Sequence, residues 1–272
     1  MAEHVLLRAV DERGIATLTL NRPEVHNAYN GAMIDALVET VGALAADPRV
    51  RLLVLRANGR HFQAGADLNW LREVAGYALE DNVEFSRRTT LAMRALNAFP
   101  RPTLALVQGA CYGGGVGMVA CCDVAIAGAS ARFALTEVRW GVIPAPIIPQ
   151  LCAAMGVRSL RRYGVTGEAF DAEEARRVGL IHEVCGDDGL DQAAAPVIEA
   201  ILRTAPEAAC ASKKLVLAHA GLDLSDQQVE ALAVQAAAKR ASAEATEGLA
   251  SFCEKRDPSW YQGSLYSGPA RT

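Results

Sequence analysis

The chain has 272 residues, of which 51% are hydrophobic and only 6% aromatic, and its formal net charge at pH 7 is −4. This length is ample for one sizeable core, and the charge excludes a general electrostatic attraction to nucleic acid or to an anionic membrane. The N-terminal sequence lacks a signal-peptide pattern, no apolar run is long enough to span a bilayer, and the seven cysteines have no regular spacing. We therefore expect a cytoplasmic protein with reduced thiols and without nucleic-acid or membrane partners.

Strand-like and helix-like segments alternate through the first half of the sequence. In chain order, the predicted elements are a β-hairpin at 5–10 and 15–20, a helix at about 32–44, a strand at 51–56, a helix starting near 67, a helix at about 81–96, and strands at 103–108 and 123–127. This alternation predicts a parallel or mixed α/β core.

The second half of the sequence is mostly helical. Capping-box patterns at Asp171 and Ser225 predict two helix starts, and the Ala-rich segment 229–255 has more apolar surface than a lone helix can bury. We divide the chain into a core at 1–195 and a C-terminal helical region at 196–272. The sequence leaves open whether this region packs on its own core or on another subunit, and favours the second only weakly.

Two glycine-centred segments are the most informative local feature. FQAGADL occupies 62–68 and GACYGGG occupies 109–115, and each follows an apolar run and precedes a helix-like stretch. Backbone N–H groups at a helix start have no intrahelical acceptor and lie at the positive end of the helix dipole. Two such segments that converge would form an oxyanion hole with two donors.

A dinucleotide site is a minor alternative for the second segment. The stretch from Gly115 to Ala120 fits the pattern G-x-G-x-x-A, and Glu137 follows at a distance suitable for a ribose contact. However, the next predicted strand has no acidic residue at its end, where that contact is normally made.

Longer motifs carry a family resemblance. FQAGADLNW, VQGACYGGGVGMVACCDVAIA and RFALTEVRWGVIPAP resemble the signature stretches of the enoyl-CoA hydratase/isomerase (crotonase) superfamily, in the same order. NRPEVHNA, DAEEARRVGLIHEV and EGLASFCEKRDPSW extend the resemblance over nearly the whole chain. It implies a crotonase-like α/β core of repeated ββα units, a C-terminal helical trimerisation region that completes the CoA site, and a homotrimer or dimer of trimers. The GGGVG and LTEVR motifs are most similar to those of methylglutaconyl-CoA-type hydratases.

The resemblance implies three catalytic residues. Ala66 and Gly114 match the family positions whose N–H groups bind the thioester oxygen of an acyl-CoA and stabilise its enolate-like state; each such donor contributes about 3–4 kcal/mol. Glu137 matches the family's catalytic glutamate. We expect burial beside the apolar Trp140 and Ile143 to raise the pKa of Glu137 and to favour proton transfer near neutral pH.

The resemblance also implies where the substrate binds. Coenzyme A is part of the substrate, and we expect no separate cofactor and no metal. The implied binding residues are Val25, Ala28, Ala64, Asp67, Leu68, Asn69 and Lys255. Lys255 matches a lysine that reaches the CoA of a neighbouring subunit, although a solvated charge is an equally good interpretation. Arg139 and Arg132 are candidates for pairing with a distal carboxylate of a glutaconyl-like substrate.

One position departs from the family pattern. Gly117 stands where the best-known hydratases have a second glutamate, so a two-carboxylate mechanism cannot be carried over. We interpret the space at Gly117 as room for the attacking water or for a β-branch of the substrate. The sequence thus predicts hydration of a 2-enoyl-CoA. The alternatives are a Δ3,Δ2-enoyl-CoA isomerase and, from another class, a non-catalytic CoA-thioester-binding protein.

Three further residues invite a catalytic interpretation that the sequence does not favour. Cys111 lies in a glycine-rich setting but is predicted to be a small packing residue. His61 and His182 have no nucleophile or metal-ligand cluster nearby in the sequence, so we predict structural or surface roles for both.

Overall fold

The computed structural model describes residues 5–261, which form ten strands and ten α-helices. The strands are β1 (Leu6–Val10), β2 (Ile15–Leu20), β3 (Leu52–Ala57), β4 (Gln63–Ala64), β5 (Thr103–Val107), β6 (Ala110–Tyr112), β7 (Val124–Gly128), β8 (Arg132–Ala134), β9 (Phe170–Asp171) and β10 (Glu183–Cys185). The helices are α1 (Gly31–Ala46), α2 (Leu68–Ala75), α3 (Leu79–Asn97), α4 (Gly114–Ala120), α5 (Ile148–Thr166), α6 (Ala172–Arg177), α7 (Leu190–Leu202), α8 (Pro206–His219), α9 (Asp226–Arg240) and α10 (Ala243–Cys253). None of these helices combines the length and apolar character that a membrane crossing requires.

The larger sheet forms the centre of the α/β fold and has the strand order β1-β2-β3-β5-β7-β10. β1 and β2 form the predicted antiparallel hairpin, and the other neighbouring strands are parallel. Asp11 Oδ1 stabilises the hairpin turn by accepting hydrogen bonds from the backbone N–H groups of Arg13 and Ile15, both at 2.9 Å. β5 is buried along its whole length because helices cover both faces of the sheet, which explains the apolar run from Leu104 to Val107.

A smaller sheet positions the functional site. Its order is β4-β6-β8-β9, and β4, β6 and β8 are parallel. Because parallel strands point the same way, their carboxyl ends meet at one edge of the sheet. The segments that leave this edge are 65–66, 113–114 and the 3-10 helix Thr136–Trp140, which carries Glu137. Sequence periodicity did not predict these strands, because each has only two or three residues.

The C-terminal helices pack on the core of their own chain, which is one of the two arrangements that the sequence leaves open. The segment 229–255 also forms two helices instead of one, because Ser242 begins α10 by accepting a hydrogen bond from the Ala245 N–H at 3.2 Å. α9 packs along α3, and α10 packs on α2 and on the 3-10 helix Thr136–Trp140. The boundary proposed at 195/196 falls inside α7.

Candidate active site

The two glycine segments and Glu137 meet at Gly113. This residue follows β6 with φ 52° and ψ −119°, and its N–H donates to the Ala134 carbonyl at 2.8 Å, at the end of β8. A Cβ on Gly113 would lie 3.0 Å from Glu137 Oε1 and 3.5 Å from Gly65 Cα. Only glycine fits this close approach and positive φ. The fold therefore brings together the segments on which the sequence prediction depends.

The Ala66 and Gly114 N–H groups are free of protein acceptors in the described part of the chain. Tyr29 and Ala66 form a parallel bridge, in which the Tyr29 N–H donates to Gly65 O at 3.0 Å and Tyr29 O accepts from the Asp67 N–H at 2.9 Å. This bridge does not use the Ala66 N–H, which points to the opposite side. Gly114 is the first residue of α4, so its N–H has no intrahelical acceptor. Both residues line one cavity.

This cavity has a largely apolar wall and a volume of about 90 Å³. α1, α3 and the segment 142–147 supply most of the apolar side chains, and α9 closes one side. Among the lining residues of the described chain, Glu137 is the only acid and Arg240 the only base. Apolar lining with a few convergent polar groups is typical of a small-molecule site.

Glu137 has the environment of a proton-transfer group. Its side chain is half-buried, and its Oε2 is buried with no hydrogen-bond partner among residues 5–261. Burial raises the pKa of Glu137 to about 7 because desolvation disfavours the charged carboxylate. Trp140 and Ile143 line the same cavity. The predicted direction of the pKa change is therefore confirmed.

The interpretation of Gly117 as an open space is wrong. A Cβ on Gly117 would lie 2.2 Å from Ile147 Cγ2, and Gly117 does not line the cavity. Ile147 fills this space, which therefore holds neither the attacking water nor a β-branch of the substrate. Any side chain at 117, including a glutamate, requires Ile147 to move. The same packing argues against a dinucleotide site. A Cβ on Gly115 would lie 2.7 Å from Gln63 Oε1, so side chains of the protein occupy the space beside Gly115 and Gly117 that a dinucleotide would need.

The predicted substrate-binding residues near β4 divide between the cavity and its surroundings. Ala64 and Leu68 line the cavity directly. Val25 ends a 3-10 helix and Ala28 is buried, and neither residue lines the cavity. Their loop runs beside β4, where the Ala64 N–H donates to the His26 carbonyl at 3.0 Å.

Asp67, Asn69 and Lys255 lie outside the cavity, the first two at the start of α2. Asp67 caps α2 by accepting from the Asn69 N–H at 3.2 Å and forms an ion pair with Arg22 at 3.7 Å. Lys255 is exposed and follows the end of α10, where Cys253 Sγ lies 3.8 Å from Asn69 Oδ1. The end of α10 thus lies beside α2 of its own chain, whereas the resemblance directs Lys255 to a neighbouring subunit.

The candidates for pairing with a substrate carboxylate are also corrected. Arg132 and Arg139 are exposed, and neither lines the cavity. The arginine in the cavity wall is Arg240 of α9, with 7% of its surface exposed. Sequence reasoning missed Arg240 because it lies in an Ala-rich helical stretch without a motif, and only the packing of α9 on α3 brings it to the site.

The remaining candidates have structural roles, as predicted. His61 Nδ1 accepts from the Ala110 N–H at 3.0 Å, and His182 Nδ1 accepts from the Ala125 N–H at 3.1 Å. Cys111 is fully buried, and burial raises the pKa of its thiol well above the usual value. Over residues 5–261 there is no group of three or more His, Cys, Asp or Glu side chains that could hold a metal ion.

Comparison with known proteins decides the family. The pattern that describes the enoyl-CoA hydratase/isomerase family matches residues 11–263. The chain belongs to the enoyl-CoA hydratase/isomerase family. Its crotonase fold is shared with an enoyl-CoA hydratase from Shewanella pealeana, whose crystal structure superposes with a TM-score of 0.78 at 38% identity, covering 94% of this chain and 96% of that one.

Relatives in this family catalyse both types of reaction. A 2,3-dehydroadipyl-CoA hydratase from Escherichia coli is 32% identical over 95% of this chain and 98% of its own length. A mitochondrial Δ(3,5)-Δ(2,4)-dienoyl-CoA isomerase from Dictyostelium discoideum is 27% identical over 94% of this chain and 90% of its own. The family acts on acyl-CoA thioesters. Because this chain is a member, its chemistry is that of a hydratase or an isomerase in general.

Proposed function

We propose that this enzyme adds water across the double bond of a 2-enoyl-CoA thioester. One observation carries the proposal: a protonatable carboxyl with an unpartnered oxygen lies beside two backbone segments whose N–H groups have no protein acceptor in the described chain. A thioester oxygen held by the Ala66 and Gly114 N–H groups gains most from them once it carries the enolate charge. Each donor of this kind lowers the barrier by about 3–4 kcal/mol.

Glu137 supplies the proton transfers in this proposal. In its protonated form, one oxygen of the carboxyl donates its proton to C2 of the acyl group. The other oxygen accepts a proton from the water whose oxygen bonds to C3. Both new bonds form on one face of the double bond, and Glu137 ends the step protonated again. The pKa of about 7 supports this role, because a general acid works best when its pKa lies near the operating pH.

Coenzyme A extends in this proposal from the cavity mouth past the loop beside β4. Ala64 and Leu68 flank the acyl thioester, since both line the cavity. The remaining residues of this path are Val25, Ala28, Asp67, Asn69 and Lys255. The contact between α10 and α2 supports a role for Lys255 in the site of its own chain, in addition to that of a neighbouring subunit.

We further propose an acyl group of the branched or glutaconyl type. The similarity of the GGGVG and LTEVR motifs to those of methylglutaconyl-CoA-type hydratases supports it. The relative from Escherichia coli, named for a dehydroadipyl-CoA substrate, adds a second dicarboxylic example. Because Ile147 fills the space at Gly117, a substrate branch has to lie elsewhere in the cavity.

Isomerisation of a 3-enoyl-CoA is the second candidate. One carboxyl is sufficient to move a proton between two carbons, and Glu137 is the only acid among the described cavity residues. A non-catalytic CoA-thioester-binding protein has less support. Burial of an ionisable carboxyl without a partner lowers the stability of the protein, and such groups cluster at functional sites.

The absorbance of the conjugated thioester separates these functions. With a purified 2-enoyl-CoA, hydration predicts loss of this absorbance; with a 3-enoyl-CoA, isomerisation predicts a gain. Linear and carboxylated acyl groups should both be tried. If neither substrate changes over the whole series, both catalytic functions are refuted and the binding protein remains.

A further inference from the structure

Arg240 is a buried cation in the wall of the acyl cavity. Its side chain donates to Asn82 Oδ1 and, at 3.1 Å, to Ser86 Oγ, and its guanidinium carbon lies 5.2 Å from the centre of the Phe85 ring. No carboxylate of residues 5–261 lies within 4.0 Å of it. A guanidinium has five N–H donors, and these two bonds leave part of its hydrogen-bonding capacity unused.

The surroundings of Arg240 contain more buried donors than acceptors. Asn82 is fully buried, and its Nδ2 has no hydrogen-bond partner in the described chain. Its Oδ1 is engaged by Arg240, which fixes the orientation of the amide. Ser86 Oγ accepts from Arg240 and donates to the Asn82 carbonyl at 3.0 Å, so it is also engaged. The group that complements this cluster is one that only accepts hydrogen bonds.

Glu137 does not neutralise Arg240, although both line the same cavity. Burial dominates the rise in the pKa of Glu137, and Arg240 is not among the groups that lower it. Tyr29 lies within electrostatic reach of both: the Glu137 charge raises the pKa of its hydroxyl and the Arg240 charge lowers it. The cavity thus has a carboxyl at the thioester end and a separate positive charge. A buried ion without a counter-charge is strongly unfavourable, so this second group requires its own anion.

We propose that Arg240 is the specificity residue that binds a carboxylate at the far end of the acyl group. The preferred substrate is then a 2-enoyl-CoA with a second, terminal carboxylate. Arg240 receives this carboxylate through its planar N–H fork, a geometry suited to bidentate binding. An acyl chain with a methyl end leaves the charge unpaired and binds more weakly. The assignment of Arg240 rests on the proposed function in one respect, which is that the thioester lies at the Ala66 and Gly114 end of the cavity.

Binding of unreactive thioesters tests Arg240 without requiring turnover. Glutaryl-CoA and pentanoyl-CoA have five acyl carbons each and no double bond, and they differ at the terminal group. We expect wild-type protein to bind glutaryl-CoA about 30-fold more tightly or better by isothermal titration calorimetry, the range in which a buried charge pair contributes. In Arg240→Met the ratio of the affinities for glutaryl-CoA and pentanoyl-CoA should fall to near one. Arg240→Lys should retain part of the preference for glutaryl-CoA.

Arg94→Met is the matched control. Arg94 also joins α3 to the start of α9, through Asp226 Oδ1 at 2.7 Å, but it does not line the cavity. It should keep the wild-type binding ratio. Equal affinity of wild-type protein for the two thioesters would overturn the proposal even if no variant folds. So would a preference for glutaryl-CoA that survives in Arg240→Met.

The same measurements separate this proposal from the proposed reaction. If glutaryl-CoA is preferred through Arg240 but no 2-enoyl-CoA is hydrated, the assignment of Arg240 stands and hydration fails. If but-2-enoyl-CoA is hydrated and no carboxylate preference exists, hydration stands and the assignment of Arg240 fails.

Discussion

At the residue scale, burial gives Glu137 both a pKa suited to proton transfer and a cost in stability. Its carboxyl is held beside Gly113 in a cavity with an apolar wall, and the resulting desolvation raises its pKa to about 7. Near neutral pH, protonated and ionised forms therefore coexist, as proton exchange requires. The same desolvation means that the ionised form destabilises the native state, because the unfolded chain hydrates the carboxylate fully.

Replacing Glu137 by Gln should stabilise the protein in a pH-dependent way. Below pH 4.5 the carboxyl is protonated in both states, so it contributes no penalty to the wild type. As pH rises from 4.5 to about 7, the unfolded state releases the proton first and wild-type stability falls. Above this range the penalty is constant at about 3 kcal/mol at most. Thermal unfolding should show a Tm advantage of Glu137→Gln at pH 8 that disappears at pH 4.5; a pH-independent difference contradicts the raised pKa.

The pH dependence of turnover distinguishes the two candidate reactions. Hydration as proposed starts from protonated Glu137, so kcat/KM should fall as pH rises through about 7. Isomerisation starts from the carboxylate, which removes a proton from C2, so kcat/KM should rise over the same range. Measuring kcat/KM from pH 5.5 to 9 with each substrate tests this, and a profile that is flat through pH 7 contradicts proton transfer by Glu137.

At the element scale, α4 is held against the segment that begins α5. Gly117 allows Ile147 to approach the helix backbone, and Ile147 in turn lines the cavity that also contains Glu137. This contact leaves no room at position 117 for the second glutamate that the best-known hydratases have. The sequence shows only that the glutamate is absent, whereas the contact shows which side chain has taken its space.

Gly117→Ala tests this packing. The added methyl group collides with Ile147, and overpacking of this kind costs about 1–3 kcal/mol of stability. Ile147→Ala makes room for it, so the double variant should be more stable than the sum of the single effects predicts. Gly42→Ala is the control, because a Cβ on Gly42 of α1 meets nothing within 4 Å. Urea unfolding measures all four variants, and strictly additive effects of Gly117→Ala and Ile147→Ala would contradict the contact.

α10 supports the segment that carries Glu137. Phe252 packs edge-on against Trp140, with ring centres 5.0 Å apart, and a Cβ on Gly248 would lie 2.5 Å from the Trp140 carbonyl. The C-terminal helices thus shape the site twice: α10 holds the 3-10 helix Thr136–Trp140, and α9 supplies Arg240.

At the scale of the whole molecule, three parallel strand ends of the smaller sheet assemble the site. Ala66, Gly114 and Glu137 could be predicted because each lies in a local motif that a single segment of sequence displays. The longer strands and helices were equally predictable from periodicity, as β5 and α1 show. The filling of the space at Gly117 and the presence of Arg240 could not be predicted, since both arise from contacts between segments far apart in the sequence.

The oligomeric state is a further prediction at this scale. The family resemblance implies a homotrimer or a dimer of trimers, and several large apolar side chains of the described chain are exposed in the monomer, among them Leu215, Val216 and Phe252. Exposed apolar side chains are candidates for burial at such an interface. Light scattering coupled to size-exclusion chromatography should give three or six times the 28.8 kDa chain mass. A monodisperse monomer over the working concentration range contradicts this prediction.

The most direct test of the central claim is hydration of a 2-enoyl-CoA by wild-type protein and by Glu137→Gln, with binding measured in parallel. We predict that wild-type protein removes the conjugated-thioester absorbance and that Glu137→Gln loses activity by about 100-fold to 10,000-fold. Affinity for a saturated acyl-CoA should be retained in the variant, because the Ala66 and Gly114 N–H groups are unaffected. Turnover by Glu137→Gln at the wild-type rate would contradict the claim.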